Sequence, residues 1–151
     1  MKTLQVKNGD LQLDSGGRPS FLVGSNKLVQ DIALWLKEDY GVGYTTPNFG
    51  SILNGLIGNG ITQNVVAQIQ SEIARVLSLY RSQQIQSLQL SQQRQQLSNW
   101  NRSELIQSIG NVQTTPGYGF IQVVVPITTL SNSTVALNLL ITPNGIQVQN
   151  G

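Results

Sequence analysis

Between Thr62 and Tyr80 the residues Val65, Val66, Ile69, Ile73, Val76, Leu77 and Tyr80 recur three and four positions apart. That spacing gathers them on one stripe of an α-helix and gives a strand no consistent face. The segment is therefore expected to be one long amphipathic helix that buries this stripe against the rest of the chain. Thr62 is the expected N-cap, because its hydroxyl can accept an N–H that the first turn leaves without a partner. Past Tyr80 the stripe thins to Ile85, Leu88, Leu90 and Leu97 among glutamines. Glutamine is a good helix former, so the helix is expected to reach about Leu97. The alternation Leu88-Gln89-Leu90 leaves a strand open for that second half.

Before this helix the pattern changes twice. Thr3 to Lys7 and Leu11 to Leu13 alternate with period two around the turn signal Asn8-Gly9-Asp10. Ser15 to Pro19 forms a second turn before Phe21-Leu22-Val23, so a β-hairpin or meander is expected. Ser25 then stands as the expected N-cap of a helix carrying Leu28, Ile32, Trp35 and Leu36. Gly41-Val42-Gly43 ends that helix near Asp39. Phe49-Gly50-Ser51 opens a short helix over Ile52 to Ile57. After the long helix, Asn101 or Ser103 can cap a further short helix through Glu104, Leu105 and Ile106. From there the chain reads as strands: Ile109 to Thr114, Phe120 to Leu130, Val135 to Thr142 and Ile146 to Gln149. Pro126 has no N–H for a ladder, so it is expected at an edge or a bulge. The fold class is α+β: an N-terminal β-hairpin, a helical middle with one long amphipathic helix, and a C-terminal antiparallel sheet, in a single domain over residues 1–151.

Chemistry is narrowed by what the chain lacks. It has no cysteine and no histidine, which removes thiolate ligands, disulfides and the commonest general base. No cofactor is expected. Charged residues are 11% of the chain and the net charge is +2, with Lys27, Lys37, Arg75, Arg81, Arg94 and Arg102 scattered. They read as solvated surface rather than a phosphate-binding stripe, so no nucleic acid is expected. No stretch approaches the ~20 apolar residues of a membrane span, and no signal peptide is visible, so neither membrane nor secretion is expected. Gln, Asn, Ser and Thr supply most of the polarity. Such groups enter an interface without the cost of desolvating an ion, which suits a protein held in an assembly.

Two nucleotide-binding patterns fail on inspection. Gly41-Val42-Gly43 follows a helix and lacks a third glycine, and Gly50 to Gly55 is followed by Leu56-Ile57 rather than Lys and Ser or Thr. A glycosidase needs paired carboxyl groups with one pKa raised. Asp10, Asp14, Asp31, Glu38, Asp39, Glu72 and Glu104 read instead as surface and capping residues. Trp35 reads as core. Trp100, among polar neighbours in a loop, is open to cover by its own domain or by a partner.

Four features together resemble the baseplate wedge and sheath-initiator family of contractile phage tails, related to a baseplate subunit of type VI secretion systems. They are the opening Leu4 to Asp14 with its central Gly9-Asp10, the helix Lys27 to Leu36, the loop Tyr44-Thr45-Thr46-Pro47-Asn48-Phe49-Gly50-Ser51-Ile52-Leu53, and the helix Val65 to Tyr80 followed by a sheet. The loop follows the family's Pro-x-(Phe/Tyr)-Gly-(Ser)-x-Leu pattern. The family's Glu-Pro-Arg at the end of the long helix is replaced by Leu79-Tyr80-Arg81-Ser82-Gln83, where Arg81 alone can stand in.

The resemblance implies a non-enzymatic virion protein of the tail baseplate, made in the host cytoplasm. Its partners would be the tail sheath protein, baseplate wedge subunits and the tail tube. Sheath contact by β-augmentation would fall on Phe120, Val123, Val125, Val135, Leu137, Leu139, Ile146 and Val148. Wedge contact would fall on Arg81, Leu88, Leu90, Leu97 and Trp100. A lysozyme-like cell-wall hydrolase, or the equivalent subunit of a secretion or injection machine, are the alternatives it carries.

Overall fold

The structure is a computed structural model that describes residues 2–7, 10–45, 47–58, 60–95 and 100–149. Four two-residue strands come first: β1 (Thr3–Leu4), β2 (Val6–Lys7), β3 (Asp10–Leu11) and β4 (Phe21–Leu22). Helix α1 (Gly24–Lys37) and a one-turn 3-10 helix (Leu53–Gly55) lead to α2 (Gln63–Gln93). A second 3-10 turn (Arg102–Glu104) precedes β5 (Ile106–Ile109), β6 (Gln113–Pro116), β7 (Ile121–Thr129), β8 (Thr134–Thr142) and β9 (Gly145–Val148). The expected α+β order is therefore the observed one.

The last five strands make one antiparallel sheet in the order β5-β7-β8-β9, with β6 also on β7 beside β5. Odd-numbered residues of β7 and β8 point to one face. There Ile121, Val123, Val125, Ile127, Leu137 and Leu139 are fully buried. The stripe of α2 (Ile69, Ile73, Val76, Leu77) and that of α1 (Leu28, Ile32, Trp35, Leu36) pack on this face as one hydrophobic cluster. The helices thus cover one side of the sheet and leave the other to solvent.

Thr62 caps α2 as expected, its Oγ1 accepting the Val65 N–H at 3.3 Å. The helix runs unbroken through Leu88-Gln89-Leu90, which excludes the strand there, and Arg94 is its C-cap. At about 1.5 Å per residue it is about 46 Å long. The helix stops at Gln93, short of the expected end near Leu97, with Gln95 at φ 52° beyond the cap; the turn at Asn8-Gly9 lies outside the described residues.

Several local expectations are corrected. The short helix expected through Glu104, Leu105 and Ile106 is one 3-10 turn, Arg102–Glu104, and Ile106 opens β5. Ser25 is not the N-cap of α1; the helix starts at Gly24, whose N–H donates to Glu104 Oε1 at 3.0 Å. A carboxylate eighty positions away does what Ser25 was expected to do. The helix expected over Ile52 to Ile57 is one 3-10 turn. The strand expected from Ile109 to Thr114 is two strands with a break between them.

That break explains Pro126, which sits mid-way along the central strand rather than at an edge. Its carbonyl accepts the Gly110 N–H at 2.8 Å, so its missing N–H faces the same side, towards β5 and β6. There the register slips between Ile106 and Ser108 and again between Gly110 and Gln113, in the manner of β-bulges. No ladder donor is required of Pro126. Its ring instead presses on Gly110, where a Cβ would lie 2.5 Å from Pro126 Cγ and 3.1 Å from its carbonyl oxygen.

Gly110→Ala should therefore cost about 1–3 kcal/mol in chemical denaturation, the usual range for overpacking. Gly55→Ala, where a Cβ meets nothing within 4 Å, is the neutral control. Adding Pro126→Ala to Gly110→Ala should recover part of the loss. Equal stability of the two single variants would show that the break tolerates a side chain.

Candidate functional site

Each residue expected to touch the sheath can now be placed. Val123, Val125, Leu137 and Leu139 have no exposed surface, and Ile146 is 7% exposed. They belong to the core beneath α1 and α2, so their side chains are not available to a partner. Period-two alternation says that one face is covered but not by what, and the intramolecular helices are the cover. Val135 and Val148 are half-buried on the same face. Phe120 closes its own hairpin, its ring lying where a Cβ on Gly117 would sit.

What the sheet can still offer a partner is backbone, and its two edges differ. At the β5–β6 edge the outward Ile106 N–H donates to Gln84 Oε1 at 3.0 Å. Pro116 has no donor to present, and Gln70 Nε2 donates to Thr114 Oγ1 at 2.8 Å. With the break at Gly110, this edge is bent and partly occupied. At the other edge, the Gln149 N–H donates to the Asn138 carbonyl at 2.9 Å, continuing the β8–β9 register. Antiparallel alternation then turns Gln147 and Gly145 towards β8, and the N–H and C=O of Ile146 and Val148 away from it. No described strand pairs with that side of β9. At its first two residues and the turn before them lies a shallow hollow of about 330 Å3, lined by Lys37, Asn54 and Pro143 to Ile146.

The uncovered face of the sheet carries Gln122, Val124, Thr128, Ala136, Asn138 and Leu140. From Leu105 to Gly151 the chain has no charged residue at all. That run is a sequence signal of an uncharged surface.

The wedge residues lie around the far half of α2. Arg81 is exposed, Leu90 is 50% exposed, and Leu88 and Trp100 are half-buried. Leu97 is outside the described residues. The glutamine-rich half does not begin as a partner surface. Gln84 is 5% exposed and uses both ends of its amide, Nε2 donating to the Glu104 carbonyl at 2.7 Å while Oε1 accepts from Ile106. Exposed apolar residues appear only after it, at Ile85 and Leu90.

Several charges expected at the surface are buried. Lys27 is 4% exposed, pairs with Asp31 one turn on, and lies 5.4 Å from the Trp100 ring centroid. Glu104 is 1% exposed and completes a capping box with Asn101. Burial, followed by the nearby Asp31 carboxylate, pushes the Tyr80 hydroxyl far above its ordinary range.

Glu72, on α2, holds the loop between the helices. Gly50 adopts φ +100°, and a Cβ there would stand 2.7 Å from the Glu38 and Asp39 carbonyls. Only glycine allows that approach. Ser51 then bonds to the end of α1, with its N–H on the Glu38 carbonyl at 2.8 Å and its Oγ on the Leu36 carbonyl at 2.6 Å. Phe49 stacks on Trp35 at 4.7 Å, and Tyr80 meets Trp35 edge-on at 5.3 Å. From α2, Glu72 Oε1 accepts the Ile52 N–H at 3.0 Å, and Arg75 donates to both carboxylate oxygens and to the Gly50 carbonyl.

The Arg75 guanidinium lowers the Glu72 pKa from its ordinary 4.5, outweighing desolvation, with the Ile52 N–H adding to the effect. A general acid requires the reverse shift. Glu38 and Asp39 are exposed at the end of α1. Among the described residues no cluster of three acidic groups could hold a metal ion, and no helix is long and apolar enough to cross a membrane.

A carboxylate with a depressed folded-state pKa contributes stability above its unfolded value and loses it as pH falls through the folded one. Glu72→Gln should therefore lower the melting temperature at pH 7 and bring it level with the parent in acid, below the lowered pKa. A gap of the same size at both pH values would assign the loss to shape rather than to ionisation.

A scan against protein-family models finds no match to this chain, and searches of curated proteins and of solved structures return none.

Proposed function

We propose that this chain is a structural subunit of a contractile-tail baseplate, which binds wedge subunits and starts the sheath by adding a strand to its own sheet. The observation that carries the reading is the difference between the two sheet edges. One edge is blunted by Gln84, Pro116 and the break at Gly110, whereas β9 turns two N–H and two C=O groups outward, with a hollow at its start. Open edges invite pairing with another chain, and proteins that do not use them cover them. Among the described residues no strand pairs with the outer side of β9. A sheath strand laid along β9 would gain backbone bonds to Ile146 and Val148, with its register set by alternate side chains. The role is non-enzymatic and belongs to the virion baseplate; the equivalent position in an injection machine would use the same chemistry.

The wedge contact is placed on the end of α2 beyond Gln84, where Ile85 and Leu90 are exposed near Arg81 and Leu88. The motif resemblance in the first eighty residues supports this assignment independently of the sheet.

The test must block the edge and keep the fold. Removing residues 144–151 would take Ile146 out of the core. Val148→Pro is cleaner, since the N–H it removes points away from β8 and the ladder keeps its bonds. The variant should melt close to the parent and enter baseplates, and tubes should grow. Sheath should fail to polymerise on them or should form detached polysheath. Normally sheathed tails built on the variant would overturn the assignment of β9.

A further inference from the structure

The N-terminal strands form a small arm whose sidedness is inverted. Gln5 donates to Ser20 and accepts from Gln12, and Ser20 donates to Gln12, so three short segments meet as one patch of sheet. Leu4 pairs with Phe21, Val6 with Leu11, and Leu13 with Pro19. Cross-strand partners share a face, and so do residues two apart on a strand. These apolar residues therefore share one face, continued by Val23. It is the exposed one: Leu4 is 40% exposed, Leu11 46%, Leu13 59%, Phe21 57% and Val23 52%. Thr3, Gln5, Gln12, Ser20 and Leu22, from the opposite face, are half-buried, as is Val6 on the apolar face.

A sheet that buries only its own core normally turns the apolar side inward. Here α1 fixes the arm differently. Gln30 grips its free edge, with Oε1 accepting the Val6 N–H and Nε2 donating to the Leu4 carbonyl, each at 2.8 Å. The edge of the arm is thus held by a polar side chain, Leu22 turns inward, and most of the apolar side is left over.

We infer that this face packs against the same face of a second copy of the chain, as a two-fold, sheet-on-sheet contact. The exposed fractions amount to roughly 500–600 Å2 per copy, the upper range for the largest apolar patch of a monomer. Two such faces would bury roughly 1,100 Å2, just past the ~1,000 Å2 expected of a specific interface and short of a permanent one. Little charge opposes the pairing. Lys7 and Asp10 stand opposite each other in the register on the other face, the Asp14 carboxylate accepts the Gly16 and Arg18 N–H groups of its own turn, and Lys2, two positions before Leu4, lies at the rim. Sheets with one apolar face are stabilised by stacking on another, which a two-fold axis supplies with no further chain. This contact is independent of the β9 edge and of the baseplate reading.

Sedimentation equilibrium of the full chain, from micromolar to near-millimolar concentration, should show a reversible monomer–dimer equilibrium. Phe21→Ser should raise its dissociation constant by at least about tenfold, as loss of an aromatic anchor does. Its melting temperature should stay at the parental value, because the ring is mostly in solvent. The chain has no cysteine, so single cysteines report position cleanly. Leu11→Cys and Leu13→Cys should cross-link with a short bismaleimide much faster than Tyr118→Cys, a fully exposed site on a distant hairpin. A monomer at every concentration would overturn the inference, as would a dimer unchanged by Phe21→Ser or cysteines in the arm that react no faster than the control. In the first case the arm is covered by a different chain.

Discussion

The sheet is covered on one face only, and most of the molecule follows from that. The odd-numbered residues of β7 and β8 lie under α1 and α2 as an apolar layer, and the buried polar networks are arranged around it. Strands in such a layer keep their ladders on both sides or leave an edge, and an edge must be dealt with explicitly. The chain deals with the β5–β6 edge by spending one buried glutamine, one proline and two register slips on it. Among the described residues, no strand pairs with the outer side of β9.

Buried polar groups carry the connections that the apolar layer cannot. The Glu104 carboxylate receives the first N–H of α1, its carbonyl receives Gln84, and Gln84 in turn receives the first N–H of β5. One short turn thereby ties α1, α2 and the sheet together. At the other end Glu72 and Arg75 tie α2 to the loop after α1. Each network saturates backbone groups that would otherwise be buried without partners, a cost of about 1–3 kcal/mol apiece. That need explains why charges sit inside a chain with so few of them.

Elements with a strong internal period were legible in the sequence. The stripe on α2, its Thr62 cap, the Asn101 cap and the long C-terminal strands are set by neighbours within a few positions. What was not legible depends on residues far apart. Gln84 reads as a helix former until β5 is brought beside it, and Ser25 reads as a cap until Glu104 arrives. Lys27 reads as surface until Asp31 and the Trp100 ring lie next to it. In the sequence Pro126 signals an edge or a bulge; it keeps a regular register with β8, and the bulges lie in the strands on its other side. For the sheath contact, apolar alternation in β7 and β8 selected the core face, whereas strand addition depends on which N–H groups turn outward, a matter of register.

Amide hydrogen exchange at four positions tests the account most directly. In the isolated protein the Ile146 and Val148 amides should exchange quickly, because they face away from β8, while the Gln147 and Ile106 amides should be protected. Addition of purified sheath protein should protect Ile146 and Val148 and leave the other two unchanged. Slow exchange of Ile146 and Val148 in the isolated chain, or no change on adding the sheath, would contradict the account.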